Sequence, residues 1–175
     1  MTTQRQRYAA LLRAVNVGGT GKLAMADLKT ICERLKLEQV RTYIASGNVV
    51  FGSDLTQSQI VLALEAALLK HMGKPVGVLV RNASELEAIV ANNPFQDSPG
   101  NRVVALFMPT PPQPTEIAAA TGRKDEQLAL GCREIYIHYG AGMADSKLKI
   151  PAAARGTARN MNTVKKLAEM CAETA

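Results

Sequence analysis

Between Tyr8 and Val80 the chain switches between two hydrophobic periods in a fixed order, and that order restricts the fold more than any other feature. "YAALLRAV", Tyr8 to Val15, is a short apolar run with an aromatic start and a β-branched end, which fits a buried strand. After the loop "NVGGTGK", Leu28, Ile31, Cys32 and Leu35 recur at helical spacing, so Met25 to Leu35 is expected to bury one helix face. Val40 to Ala45 and Val49 to Phe51 flank the turn signal "SGN" and predict a hairpin. Thr56 and Gln59 form a capping box ahead of a helix that places Ile60, Leu64, Ala67, Leu68 and His71 on one face. "VGVLV", Val76 to Val80, is the next strand. Strand, helix, strand, strand, helix, strand is the order of a split βαβ unit, so the fold expected is α+β with a ferredoxin-like βαββαβ lobe.

Ser84 and Glu87 suggest a second capping box for "ELEAIVANN", and Pro94 closes that helix. "NPFQDSPGN" reads as a connection, which divides the chain into a lobe over residues 1–93 and a smaller α+β lobe over 94–175. In the second lobe "RVVALFM" and "REIYIHY" predict strands, "QLAL" a hairpin partner, and Ile117 to Ala120 a short helix. The remainder predicts two or three helices, the last burying Val164, Leu167, Ala168 and Cys171. No internal repeat is visible in the residues themselves.

Length and composition fit this division: 175 residues, 47% hydrophobic, suffice for one domain or two small ones. "MTTQRQRY" lacks the apolar core of a signal peptide, and no apolar run reaches membrane-spanning length. The expectation is a cytoplasmic protein without a membrane partner. Cys32, Cys132 and Cys171 lack pair spacing and read as reduced thiols, with no disulfide framework and no zinc site. The net charge of +6 has one source. Ser146 to Ala168 holds Lys147, Lys149, Arg155, Arg159, Lys165 and Lys166 without an acid, and the other 15 bases balance 15 acids. Such a segment attracts phosphate, nucleic acid or another anion, or is simply a solvated face.

Motif searches mostly exclude. "NVGGTGKL" lacks the leading glycine and the trailing hydroxyl of a phosphate loop, which stand here as Asn16 and Leu23. Ser146 and Lys149 fit S-x-x-K, a spacing common by chance. His71 and His138 have no visible partners, so neither a catalytic triad nor a metal site is supported, and no cofactor is implied.

Several stretches taken together carry a resemblance. "LLRAVNVGG", "VRTYIASGNVVF", "NPF", "LGCREIYIHYGAGMADSKL" and "TARNMNTVKKL" resemble, in order and over nearly the full chain, the bacterial family called domain of unknown function 1697. The resemblance implies two α+β lobes, the first ferredoxin-like, and no established activity. The chain has Ala14-Val15 where the family often has Gly-Ile, and Met161 where it often has Trp.

The signatures fall on polar residues at element ends. Arg13 and Asn16, Ser46 to Asn48, and Thr157 to Thr163 with Arg159, Asn160 and Asn162 are expected to converge in one composite site. Gly18, Gly19 and Lys22 lie in the glycine-rich loop. The expected function is an anion site at the lobe junction for a phosphorylated small molecule or nucleotide, with Arg159 bidentate on the anion and the glycines donating backbone N–H groups. Two alternatives stand beside it: a nucleic-acid-binding or regulatory module using 146–168, and a purely structural, helix-capping role for "TARNMNT". The oligomeric state is not legible in the residues.

Overall fold

The computed structural model describes residues 5–16, 22–44, 47–140 and 142–173. The chain forms two compact units, Met1–Leu86 with Leu167–Ala175, and Glu87–Lys166.

In the first unit β1 (Gln6–Leu12), α1 (Met25–Arg34), β2 (Glu38–Tyr43), β3 (Asn48–Ser53), α2 (Gln57–Met72) and β4 (Val78–Asn82) follow one another, and α3 (Ala83–Ala91) begins there. The strand order is β2-β3-β1-β4, with every neighbouring pair antiparallel. β3 thus separates β1 from β2, and β1 separates β3 from β4. On the helix side, Tyr8, Leu12 and Phe51 pack with Leu28, Ile31 and Cys32 of α1 and with Ile60, Leu64 and Leu68 of α2. Each buried leucine, isoleucine or phenylalanine among them contributes about 1.5–3 kcal/mol. The Thr56–Gln59 box is present: Gln59 N donates to Thr56 Oγ1 (3.2 Å) and Thr56 N to Gln59 Oε1 (2.9 Å). His71 departs from its expected face. It is exposed, with Nε2 3.8 Å from Asp27 Oδ2, because the i, i+4 core stripe runs through residues 60, 64 and 68 and has left the sheet by the last turn.

The start of α3 is also corrected. Asn82 Oδ1 accepts from Glu85 N (2.8 Å), and Glu85 Oε1 accepts from Asn82 N (3.0 Å). The box therefore sits two residues before Ser84–Glu87, where the ladder pairing Tyr8 with Asn82 ends and β4 must turn.

The second unit carries the rest of α3, β5 (Val103–Phe107), α4 (Pro114–Ala118), β6 (Gln127–Leu130), β7 (Glu134–His138), a 3₁₀ turn at Pro151–Arg155, β8 (Thr157–Asn160) and the start of α5 (Met161–Ala172). Its strand order is β6-β7-β5-β8, again antiparallel throughout. Val104, Leu106, Ile135 and Ile137 form its core with Ile150 and Ala152. β8 corrects the expectation that this stretch is only helical.

The two units repeat one plan that the residues conceal. Ala9 pairs with Arg81 in β1–β4, and Ala105 pairs with Arg159 in β5–β8. Leu12 N donates to Gly47 O (2.9 Å), and its counterpart Met108 N donates to Arg133 O (2.8 Å). Both arginines are buried, and each turns Nη1 back to the preceding carbonyl, Val80 O at 3.0 Å and Ala158 O at 2.9 Å. The next residue caps the next helix each time: Asn160 Oδ1 accepts from Thr163 N (2.9 Å) as Asn82 accepts from Glu85. Removing either cap should have the same size of effect. Asn82→Ala and Asn160→Ala are each expected to lose about 1 kcal/mol, and their costs should add in chemical denaturation.

Candidate functional site

The repeat separates what the fold needs from what one unit alone contains. At the far end of the first sheet, Leu12 N bonds Gly47 O and Arg13 N bonds Gly77 O (2.9 Å), so β1, β3 and β4 are tied just where β1 ends. Beyond that tie Ala14 and Asn16 have φ of 55° and 57°, and Ile44, in the β2–β3 turn, has φ of 50°. A left-handed non-glycine residue costs about 1–2 kcal/mol; Asn tolerates it, whereas Ala and the β-branched Ile gain nothing locally from it. Among the described residues, every left-handed non-glycine position belongs to the first unit.

Asn16 clasps the two ends of the glycine-rich loop: Nδ2 donates to Leu23 O (2.9 Å), and Leu23 N donates to Oδ1 (2.8 Å). Asn48 is fully buried, and its Nδ2 donates to Tyr43 O (3.1 Å) across the hairpin. Lys22 is exposed and Arg13 half-buried. α1 opens directly after the loop at Ala24, which offers its first turn no side-chain cap, while α2, α3 and α5 are capped by Thr56, Asn82 and Asn160. Asp27, in the first turn of α1, places a carboxylate where the macrodipole favours negative charge. Gly18, Gly19 and Ser46 lie outside the described residues.

Thr157, Arg159, Asn160 and Asn162 lie in the second unit. Strand alternation puts Thr157 and Arg159 on one face, and Arg159 Nη1 donates to Thr157 Oγ1 at 2.8 Å. Burial pulls the guanidinium down to a pKa of about 10, which leaves it charged at neutral pH. Asn160 is the helix cap already described, as the structural alternative expects. Asn162 is exposed, and its side chain lies so close over Gly100 that a Cβ there would stand 2.1 Å from Oδ1. The six bases of 146–168 are dispersed over a loop, a turn, a strand and a helix; Arg155 is ion-paired with Glu116, and Arg159 is buried.

Two arrangements escaped sequence reading because their partners are far apart along the chain. Ser98 Oγ and His138 Nε2 are 2.8 Å apart, with Phe95 against the imidazole at 5.3 Å. Gly140 N donates to His138 Nδ1 (3.3 Å), so Nε2 carries the proton and donates to Ser98. That polarity is the reverse of a serine activated by a histidine base. Ser146 Oγ donates to Glu126 Oε1 (2.8 Å), so the S-x-x-K serine is engaged with a carboxylate, while backbone bonds tie Lys149 to Thr121. The backbone N–H of Lys124, with Ser146, holds the Glu126 carboxyl below the usual range. Lys124, Glu126 and Ser146 line a groove of about 380 Å³, where the connection 139–150 replaces the short 54–56 of the first unit. Among the described residues no group of three or more His, Cys, Asp or Glu could hold a metal ion, and no helix is long and apolar enough to cross a membrane.

Fold and site together define a two-lobed α+β protein with a strained, polar strand end in one lobe. The chain belongs to the family described as protein of unknown function (DUF1697), whose model matches residues 5–136. The chain is also similar to a solved structure, that of the conserved bacterial protein SP0830 from Streptococcus pneumoniae. The two share 30% identity and a TM-score of 0.77, over 95% of this chain and 98% of that one. None of the curated proteins matches the sequence.

Proposed function

We propose that the protein recognises an anion, a phosphorylated small molecule or a nucleotide, at the end of the first sheet where β1, β3 and β4 are tied. The observation that carries this reading is the set of left-handed residues Ala14, Asn16 and Ile44 at that end, beside Lys36 and Gln39 elsewhere in the same unit; among the described residues the second unit has no left-handed non-glycine position. Backbone strain retained at one copy of a repeated fold serves that copy's task, and strained positions cluster at binding sites. Arg13 supplies a planar, permanently charged fork and Lys22 a second cation. Gly18, Gly19 and Ser46 join the proposal on their sequence alone. In this reading Arg159 and Asn160, whose bonds recur at Arg81 and Asn82, serve the fold.

The test is calorimetric titration with pyrophosphate and ATP, and fluorescence anisotropy with short DNA and RNA across a salt series. The parent, Arg13→Ala and the Lys165→Ala/Lys166→Ala double variant are compared. Arg13→Ala should weaken pyrophosphate and ATP binding about tenfold or more, a loss of about 1.4 kcal/mol or more. The lysine variant should bind within about twofold of the parent. Nucleic-acid binding that falls steeply with salt and depends on Lys165 and Lys166 would favour the basic segment and sink this reading.

A further inference from the structure

We infer that Gly77 is a positioning residue for Arg13, an inference that rests on the anion site just proposed. Gly77 precedes β4 and accepts the backbone bond from Arg13 N (2.9 Å), so the two residues face each other across the sheet end. The Arg13 stem lies flat over the glycine. A Cβ built on Gly77 would stand 2.8 Å from Arg13 Cδ, 3.4 Å from Cγ and 3.7 Å from Cβ. All three of its nearest atoms belong to that one side chain. Gly77 is not in the left-handed region, so the backbone itself would accept alanine. What the missing side chain provides is a shelf for the arginine stem, which holds the guanidinium's base in one orientation and lowers the entropy lost on binding.

Other glycines of the chain answer to different constraints. Gly47 and Gly122 have positive φ, and Gly156 lies against the Phe107 carbonyl oxygen, 2.3 Å from a built Cβ. Gly77 answers to a flexible charged side chain, which can move aside at little cost to the fold. In the second unit the counterpart of Arg13 is Pro109, and no such shelf exists.

The experiment compares the parent, Gly77→Ala, Arg13→Ala and Arg13→Lys. Pyrophosphate and ATP binding are measured by calorimetry, the melting temperature by thermal unfolding, and the rate of phenylglyoxal modification at Arg13 by mass spectrometry without ligand. Gly77→Ala should melt within a few degrees of the parent, change the Arg13 modification rate several-fold, and weaken pyrophosphate about tenfold toward the Arg13→Ala value. Gly77→Ala with parental affinity and a parental modification rate would overturn the inference. If the parent binds neither probe, the anion reading fails, and the modification rate still decides whether Gly77 governs Arg13. A merely structural glycine would lower the melting temperature and leave the modification rate of the folded protein unchanged.

Discussion

Replacing Gly47 with alanine should lower stability by about 2–5 kcal/mol, the sum of a left-handed cost of about 1–2 and an overpacking cost of about 1–3. Gly47 has φ of 88°, and a Cβ on it would stand 2.6 Å from Val15 Cγ2 and 2.9 Å from Leu12 Cβ. Neither neighbour can retreat easily. Leu12 is a fully buried strand residue whose N–H bonds Gly47 O, and Val15 is buried beside left-handed Ala14. Gly73 provides the control, because it caps α2 with φ of 73° and a Cβ there would meet nothing within 4 Å. Gly73→Ala should therefore lose only the conformational part, about 1–2 kcal/mol. Urea denaturation of the two variants separates the terms. Equal losses would mean that Leu12 and Val15 make room for the added Cβ and that the overpacking cost is absent.

Alkaline pH should destabilise the first unit steeply. Burial pushes the Cys32 thiol up to about 12, with the nearby Glu33 adding to it, and burial likewise pushes Cys171 up to about 12 against a small opposing effect of Arg7. The ordinary value for both is 9.0, so the unfolded chain loses these protons first. Their stabilisation is complete below pH 9 and is lost as pH rises toward 12. Over that window each thiol contributes a slope of about 1.4 kcal/mol per pH unit, the free-energy equivalent of one pKa unit. Cys32→Ala and Cys171→Ala should each make the stability curve shallower between pH 9 and 11. A parental slope in both variants would contradict the burial argument. The same burial predicts that a thiol reagent at pH 8 labels only Cys132, the exposed cysteine, in the folded protein.

Much of the first lobe was legible because its signals are local. The Thr56–Gln59 box, the stripe of Ile60, Leu64 and Leu68, and the two hairpin runs need no information from elsewhere in the chain. The second lobe was harder. Thr157–Asn160 is short and polar, and it becomes a strand only because β5 offers it an antiparallel edge through Ala105 and Leu106. The repeat was hidden for the same reason. Its common residues are few, chiefly an alanine opposite a buried arginine and an asparagine cap, and they lie at different spacings because the loops differ in length. At the site, Asn16 and Asn48 stood out as polar residues at element ends. The left-handed backbone at Ala14 and Ile44 did not, since neither residue type announces it.

The division of α5 between the units bears on how the protein is made. α5 begins in the second unit, but its end, from Leu167 onward, belongs to the first, where Glu173 is ion-paired with Arg41. A ribosome releases the strands of the first sheet long before it delivers that final helical segment, and contacts so distant in sequence form slowly. The nascent first lobe must therefore wait, with part of its surface uncovered, until the segment from Leu167 onward has been added. Truncation before Leu167 would injure the lobe built from the strands of residues 6–82.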